Sequence, residues 1–503
     1  VATTPHSTPA LYAGLRAAWD AGEPFHGIDL GAAYGAPLAV EVTRECTDPA
    51  DKSRRLASAY AGVSGSRFGG YDRVFAVSTH VAVVVRAEAD GTASALHVQN
   101  GGARCASVEV WFQARGACRI ERLCGVTSQL PPGGTLVQPM GGCAPEGTAG
   151  TAWVVSSEPP AVVVDLVGGH ALASYTAIPA DLRRAFEGPP AYTAGSDVLV
   201  APPAWPDDAT AATLHVQNLS AVEPAVVQAT ALGSGRVLAR ATLCPRGAAT
   251  LALDPMRPRA ARDGAVLWPP GLRVESLAGR DPDGARIAPP NIAAVLELRA
   301  PGEAAAAFEL WPVSRAAGED GSPGGTSRAA QALALPAVAR AADDALGTST
   351  RLAVAPLARE AVGGRYLLGL FDANGLVDAV CRPIVPGGDA LDLAAFGPIG
   401  ADFRGSALVS AVHWTRAGEG PPYRPGLAAA ALHRPHARGD HAGSQHPGDA
   451  WRVIEGVALP RERTHALSGT AAGLDCAADA RSDARPEPPG PRATWLPVGW
   501  AGR

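Results

Sequence analysis

Histidines that could hold a metal gather towards the C-terminal end of the sequence. His433, His436, Asp440, His441 and His446 fall within fourteen residues. Neutral imidazole and carboxylate groups are the usual ligands of zinc and related metals. The surrounding segment is rich in proline, glycine, arginine and alanine, a composition typical of a solvated loop. We take His433, His436 and His441 as candidates for a metal site, against the simpler interpretation of a loop, and expect no cofactor.

Three shorter motifs have equally simple structural explanations. Arg438-Gly439-Asp440 matches an integrin-type tripeptide, but a match of three residues arises easily by chance. Asp281-Pro282-Asp283-Gly284 offers oxygen ligands for calcium, yet it lacks the spacing of an EF-hand loop and is better explained as a turn. Asn218-Leu219-Ser220 is a glycosylation sequon. Because Asn100 ends the same motif without a sequon, we expect both asparagines to be turn residues at strand ends.

Sequence signatures of catalysis are missing. There is no nucleophile elbow, since Gly62–Ser66 has the wrong spacing, and there is no phosphate-binding loop, HExxH or dinucleotide fingerprint. We therefore predict no catalytic residue and no enzyme activity. The net charge of -5 leaves no excess of basic residues for nucleic acid. No apolar run reaches the roughly 18 residues that a membrane-spanning helix needs, so we expect no membrane span.

Cysteine usage favours an oxidising compartment. The chain has eight cysteines and no CxxC pair, which disfavours zinc ribbons and thioredoxin-type sites. Cys105, Cys118, Cys124 and Cys143 lie close together in sequence, and we interpret them as disulfide partners, with buried free thiols as the alternative. The sequence begins at Val1, which favours an exported protein whose leader was removed.

A repeated pentapeptide organises the chain. Leu96-His97-Val98-Gln99-Asn100 returns 118 positions later as Leu214-His215-Val216-Gln217-Asn218, and both segments read as core β-strands. A second repeat links Leu56–Val63 to Leu172–Ile178. The N-terminal segment therefore carries the closing half of a repeat. Short runs of β-branched residues between turn signals predict a sandwich of antiparallel strands in each unit.

Further landmarks recur in the same order and divide the chain into four parts. Pro386-Gly387-Gly388 matches Pro132-Gly133-Gly134, and Gly405–Ser410 matches the strand that begins at Gly150. We also matched Arg351–Pro356 to Val198–Pro202, the opening strand of the second unit. We predict a mainly β chain of tandem antiparallel β-sandwich domains. The predicted parts are an N-terminal segment (1–70), repeat 1 (71–196), repeat 2 with an insertion and a linker (197–348), and repeat 3 with a loop-rich tail (349–503).

Two segments are predicted to be something other than β-strand. Thr8 and Pro9 mark the start of a short N-terminal helix that ends near Gly22. The alanine-rich run from Arg328 to Ala345 contains Pro336, so it predicts a broken helix or an irregular linker.

The order of the landmarks resembles that of tandem immunoglobulin-like or fibronectin-like β-sandwich repeats in large bacterial surface proteins. The matching positions are Val98–Asn100, Pro131–Gly134, Gly150–Ala152, Ala161–Val164 and Tyr175. The resemblance covers about residues 56 to 415. It implies an exported scaffold or adhesive protein and assigns no catalytic residue.

These features lead to a structural hypothesis. We expect a subunit of an extracellular surface layer, sheath or filament that joins copies of itself through strand edges or terminal arms. The alternative is an adhesin or carbohydrate-binding surface protein whose partners are other surface proteins or glycans. In that case exposed tryptophans would do the binding, whereas buried tryptophans would only fill cores. The tryptophans concerned are Trp111, Trp153, Trp205, Trp268, Trp311 and Trp414.

Overall fold

The computed structural model describes twenty-three stretches of the chain. They are residues 41–47, 55–61, 78–88, 93–168, 171–180, 196–204, 211–253, 259–260, 266–267, 270–277, 279–280, 286–287, 289–299, 305–313, 332–341, 348–357, 362–372, 375–397, 399–400, 402–412, 426–435, 452–455 and 457–458. Within them the regular structure is β-strand, apart from one 3-10 turn at Leu393–Ala395. The prediction of a mainly β chain is confirmed. The expected N-terminal helix between Thr8 and Gly22 lies outside the described residues.

Repeat 1 consists of two sheets that share one hydrophobic core. Their orders are β11-β3-β8-β5-β6 and β10-β9-β4-β7. In β4, Leu96 and Val98 point into the core while the residues between them face outwards, as strand alternation requires. The strands are β3 (Ser78–Ala87), β4 (Ala95–Asn100), β5 (Ala106–Ala114), β6 (Arg122–Leu130), β7 (Thr135–Pro139), β8 (Thr148–Ser156), β9 (Pro160–Gly168), β10 (Ala171–Thr176) and β11 (Ile178–Ala180).

Repeat 2 has the same two sheets and two additional short hairpins. The sheet orders are β24-β12-β19-β14-β15 and β23-β22-β13-β16, and the hairpins pair β17 with β18 and β20 with β21. The strands are β12 (Val198–Ala201), β13 (Ala211–Asn218), β14 (Ala225–Ala231), β15 (Val237–Leu243), β16 (Ala248–Leu253), β17 (Arg259–Ala260), β18 (Val266–Leu267), β19 (Leu272–Leu277), β20 (Gly279–Arg280), β21 (Arg286–Ile287), β22 (Ile292–Arg299), β23 (Ala305–Glu309) and β24 (Trp311–Pro312).

Repeat 3 has its two sheets joined into one. The strands form two groups, ordered β33-β25-β30-β27-β28 and β32-β31-β26-β29. A single residue pair, Arg340 with Ser349, joins β25 of the first group to β26 of the second. The strands are β25 (Ala332–Ala341), β26 (Thr348–Pro356), β27 (Arg365–Asp372), β28 (Gly375–Pro383), β29 (Asp389–Asp392), β30 (Asp402–Ala411), β31 (Leu427–Pro435), β32 (Arg452–Glu455) and β33 (Val457–Ala458).

The three repeats have identical strand connections. When the main strands of each repeat are counted from one to nine, the sheet orders are 9-1-6-3-4 and 8-7-2-5 in every case. The two copies of the pentapeptide lie in β4 and β13, which are both the second strand. Each pairs with the fifth and seventh strands of its own repeat, and each is antiparallel to both. The sequence repeat therefore corresponds to a repeated fold.

Two details of the third repeat correct the sequence interpretation. The described part of the alanine-rich run, Ala332–Ala341, forms β25, the first strand of repeat 3, which pairs with β30 and β33 instead of forming a broken helix or a linker. Pairing between strands has overridden the helical preference of alanine. The segment Arg351–Pro356 lies in β26, so its counterpart is the pentapeptide strand β13 and not the opening strand β12. The predicted domain boundaries at residues 70, 196 and 348 stay predictions.

An N-terminal hairpin joins the repeats in a ring. Strands β1 (Glu41–Thr47) and β2 (Arg55–Ala61) pair antiparallel, as β9 and β10 do in repeat 1. β10 packs beside β2 and β23, and β32 packs beside β23 and β2. The eighth strand of each repeat and its counterpart β2 thus surround one centre. No helix within the described ranges is long and apolar enough to cross a membrane.

Candidate functional site: the contacts between repeats

Consecutive repeats pack sheet against sheet. The five-stranded sheet of repeat 1 lies on the four-stranded sheet of repeat 2, and Leu219, Ala293 and Val295 of repeat 2 belong to the same buried cluster as the core of repeat 1. Repeat 2 packs on repeat 3 in the same way, because Ala353 and Ala430 extend the core of repeat 2. One mode of packing is therefore used twice.

An ion cluster lies within the first of these interfaces. Arg86 of β3 reaches across to repeat 2, where its Nη2 donates to Glu297 Oε2 at 2.7 Å. His215 Nε2 lies 3.0 Å from the same oxygen, and Arg299 approaches Glu297 Oε1 at 3.0 Å. His215 Nδ1 is 3.0 Å from the hydroxyl of Thr250. A neutral imidazole with its proton on Nε2 therefore donates to Glu297 and accepts from Thr250.

Burial and charge set the protonation states of this cluster. Burial of His215 outweighs the hydrogen bond that its imidazole donates to Glu297 and lowers the pKa of the imidazole, so the ring stays neutral. Burial alone would raise the pKa of Glu297, but the hydrogen bond to His215 and the positive charge of Arg86 reverse that effect and hold this pKa below its usual range. The pair Arg86–Glu297 is thus a charged bridge between two repeats, with side chains that are 11% and 5% exposed.

Glutamine side chains extend the polar contacts along the same interface. The hydroxyl of Thr151 in repeat 1 donates to Gln217 Oε1 at 2.7 Å. Gln217 Nε2 in turn donates to the carbonyl groups of Asn218 and Gly247. From repeat 1, Gln113 donates to the carbonyl oxygen of Arg246. Each amide links a strand of one repeat to a turn or strand of the next.

The turn that receives Gln113 is the proline-glycine corner found in the sequence. In repeat 1, Gly133 has a φ of 71° and Gly134 N donates to Pro131 O at 2.9 Å. In repeat 2, Arg246 has a φ of 55°, and Gly247 N donates to Cys244 O at 2.7 Å. Left-handed backbone is costly for arginine, so the corner keeps its shape against local preference.

One disulfide joins two repeats, and another lies within a single repeat. Cys118 pairs with Cys244, which joins repeat 1 to the corner of repeat 2 with a Cα–Cα distance of 5.6 Å. Cys124 pairs with Cys143 inside repeat 1. Cys105 was also expected to pair but is exposed and free, whereas the other three cysteines of its group are disulfide-bonded. Cys381 is also disulfide-bonded. These bonds agree with an oxidising compartment.

The corresponding surface of repeat 1 is partly exposed. We name it the β4 face and define it by the outward residues Ala95, His97, Gln99 and Val137. His97 Nε2 bonds Asp165 Oδ2 at 2.8 Å, a pair equivalent to His215 with Glu297, but the histidine side chain is 27% exposed. In repeat 2 the same pair is 6% and 5% exposed. The Asp165 side chain is 6% exposed, so it is nearly as buried as Glu297.

The two copies also differ in the hydrogen bonds of their glutamines. Gln99 Nε2 is buried and has no hydrogen-bond partner, whereas the equivalent atom of Gln217 has several. Val137 stands opposite His97, where repeat 2 has Thr250 opposite His215, and it is 49% exposed. The histidine of this surface is thus buried in repeat 2 and partly exposed in repeat 1.

The residues singled out as metal candidates do not come together in the described part of the chain. His433 lies in the buried strand β31, and its Nδ1 is 2.9 Å from the hydroxyl of Thr350. It is therefore a core histidine in a strand and not part of a loop. His436 and His441 lie outside the described residues, as do Asp281–Gly284 and Arg438–Asp440. Among the described side chains, no group of three or more His, Cys, Asp or Glu could hold a metal ion.

The asparagines that end the pentapeptides have the turn role expected of them. Asn100 Nδ2 donates to Leu130 O and Arg104 O, and its Oδ1 accepts from Gly102 N. Asn218 repeats this pattern with Cys244, Glu223 and Ser220. Asn218 is fully buried, so in the folded protein the sequon is inaccessible.

Tryptophans in the described regions serve mainly as core residues. Trp153 and Trp311 are each 1% exposed, and Trp153 donates to Gln113 Oε1 at 2.9 Å. Trp111 is half-buried and donates to Glu109. Trp205, Trp268 and Trp414 lie outside the described residues.

Comparison with known proteins does not assign a family. No family model matches the chain, and no curated protein matches it. Among solved structures, a glycosyl hydrolase family 2 member from Bacteroides cellulosilyticus is 9% identical with a TM-score of 0.12, and the match covers 46% of this chain and 28% of that one. The BSP domain of a biofilm-associated protein is 10% identical with a TM-score of 0.12, covering 73% and 60%. This chain thus spans less than two thirds of either protein. At these TM-scores, neither superposition assigns a fold or a function.

Proposed function

We propose that the chain is a structural subunit of an extracellular assembly, such as a surface layer, sheath or filament, and that it has no catalytic role. The observation that supports this most is the use of buried polar groups. Arg86, Glu297 and Gln217, which could serve chemistry elsewhere, hold one repeat against the next. The same packing occurs twice along the chain. We further infer that the repeats belong to the immunoglobulin-like class of sandwiches.

The proposed location rests on the disulfides. The Cys118–Cys244 bond crosses a repeat interface and Cys124–Cys143 staples one repeat, and such bonds form and persist outside the reducing cytosol. The carbohydrate-binding alternative has less support, because Trp153 and Trp311 are buried and cannot stack on a sugar.

Sedimentation of the purified native chain, with its disulfides intact, tests the proposal. We expect particles larger than the 51.1 kDa chain whose mass grows with protein concentration, and ordered assemblies in negative-stain images. A protein that sediments as a 51.1 kDa monomer at every concentration tested would contradict the proposed function.

A further inference from the structure

All three repeats have a β-bulge at the same place between their third and fourth strands. Each bulge inserts one extra residue into the fourth strand, which is Cys124 in repeat 1, Leu238 in repeat 2 and Val377 in repeat 3. Residues three apart in a regular strand point to opposite faces, but the extra residue of a bulge turns them to the same face. Leu123 therefore lies on the same outward face of β6 as Val126.

In repeat 1 this bulge builds an exposed apolar patch. Leu123 pairs with Trp111 of β5, and Val126 pairs with Glu109, two residues before Trp111 on the same face. The indole N–H of Trp111 donates to Glu109 Oε2 at 3.0 Å, so the polar atom of the ring is already satisfied. Leu123 is 43% exposed and Val126 is 58% exposed. We name Trp111, Leu123 and Val126 the β6 patch.

The same position in repeat 3 is apolar and buried. The strand pairing makes Phe371, Leu376 and Ala379 the counterparts of the three patch residues. Phe371 is only 9% exposed and forms a buried cluster with Leu367 and Val412, against which Leu376 and Ala379 pack. An apolar composition at this position is therefore accompanied by burial in repeat 3.

The same position in repeat 2 is more polar. The counterparts there are Thr230, Val237 and Arg240, and Arg240 is exposed. A charged residue on an exposed edge strand discourages association with other surfaces. The β6 patch thus combines the apolar composition found in repeat 3 with exposure like that in repeat 2. Such a combination is typical of a surface that a partner covers.

The β6 patch also adjoins a contact that the chain already makes. Gln113 lies two residues after Trp111 on the same face of β5, and it donates to the carbonyl oxygen of Arg246 in repeat 2. Thr151 of the adjacent strand β8 donates to Gln217. This face of repeat 1 therefore receives one β-sandwich already, and the exposed patch extends it towards another.

We propose that the β6 patch is where a second copy of this chain packs, about a two-fold axis that brings the two β6 patches together. A two-fold contact joins the same surface of both subunits, so that surface must be compatible with itself. β6 meets this requirement because it has no charged residue from Leu123 to Leu130, whereas two copies of Arg240 would repel each other at the same place in repeat 2. This inference rests on the proposed function and names a contact through which the assembly forms.

Sedimentation equilibrium of the full chain carrying Val126→Arg tests the inference. The substitution gives β6 the charge that Arg240 provides at the same position in repeat 2. We expect self-association at least tenfold weaker than in the wild type, because the contact would bury two like charges. Val237→Arg is the matched control, since Val237 is 52% exposed and holds in repeat 2 the place of Leu123. The control should associate like the wild type.

The possible failures are distinguishable. If the wild type associates and Val126→Arg associates equally well, the β6 patch is not the contact, while the proposed function stands. If the wild type is a monomer at every concentration, both fail.

Hydroxyl-radical footprinting of Leu123 and Val126 in the wild type is a second measurement that needs no variant. Protection that rises with protein concentration supports a second copy. Unchanged reactivity over the range in which the chain associates overturns the inference. Protection that appears only when glycans are added overturns it in favour of the carbohydrate-binding alternative.

Discussion

The pentapeptide strands β4 and β13 have the same sequence, the same position and the same inner packing, but different outer surroundings. Leu96 and Val98 of β4 are fully buried, as is Leu214, and Val216 of β13 is 1% exposed. On the outward side, Gln217 accepts a hydrogen bond from Thr151 of the preceding repeat, and Glu297, the partner of His215, is paired with Arg86 of that repeat. His97 bonds Asp165 of its own repeat. The inward residues therefore specify the sandwich, and the outward residues specify how sandwiches associate.

Removal of the inter-repeat disulfide should cause the largest loss of stability, because this bond holds repeat 1 against the side of repeat 2 that contains β13. Replacing Cys118 and Cys244 by serine removes a cross-link between residues 126 apart, which on the chain-entropy model costs about 5 kcal/mol of unfolding free energy. Removing the Cys124–Cys143 bond, with a separation of 19, should cost about 3 kcal/mol. Denaturant unfolding of the two double variants measures both losses. Equal losses would show that the bond between repeats stabilises the protein no more than the bond within repeat 1.

Removal of a buried carboxylate should distinguish the two histidine pairs. Glu297→Gln removes the buried counter-charge of Arg86 and leaves only Glu88, 3.9 Å away and 37% exposed, so we expect a loss of about 4 kcal/mol. Asp165→Asn in the pair with His97 weakens the hydrogen bonds to His97 and Ser174, for which we expect a loss of about 1–2 kcal/mol. Urea unfolding of both variants measures the difference. A larger loss for Asp165→Asn would contradict the comparison.

The two glutamines provide a smaller contrast of the same kind. Gln217→Leu deprives the Thr151 hydroxyl of a partner inside the interface and should cost about 1–2 kcal/mol. Gln99→Leu removes an amide nitrogen that has no partner, so unfolding of the dilute chain should change by less than about 0.5 kcal/mol. Thermal or chemical unfolding at low protein concentration checks both values. A large loss in Gln99→Leu would mean that the amide is already satisfied.

The free energy of unfolding should depend modestly on pH because of the ion cluster that contains His215 and Glu297. The pKa of His215 is lowered in the folded protein by burial, so the unfolded chain binds a proton that the folded chain does not once the pH falls below about 6.5. Stability is therefore lost as the pH falls through that value. Glu297, whose pKa is also lowered, adds to the loss in more acidic solution. We expect the free energy of unfolding to fall less steeply between pH 7.5 and 5 in His215→Gln than in the wild type. His97→Gln is the control, and urea unfolding at each pH measures the slope. An unchanged slope in His215→Gln would exclude His215 as its source.

Much of the fold could be predicted from the residues that face inwards. The pentapeptide, the proline-glycine corners and the strand at Gly150 recur in order, and the structure places both copies of the pentapeptide in equivalent strands. The turn role of Asn100 and Asn218 also followed from comparing the two copies. These features are local or periodic, and local patterns are what a single sequence records.

The interface between repeats could not be predicted in the same way. The pairing of Cys118 with Cys244 depends on which corner approaches which turn, and spacing does not encode connectivity. Helical propensity gave the wrong expectation for β25, because pairing with β30 decides the conformation of that alanine-rich run. The one available signal was that His97 and His215 recur at an outward position of a strand, where the sandwich itself does not require a histidine.

A double-mutant cycle between Arg86 and Glu297 tests the central claim most directly, since it measures whether buried charges join two repeats into one stable body. Arg86→Met, Glu297→Gln and the double variant would be unfolded in urea beside the wild type. We predict a favourable coupling of at least about 2 kcal/mol, because each single variant removes the opposite charge that the other group faces across the interface. Additive losses, with a coupling near zero, would contradict the account.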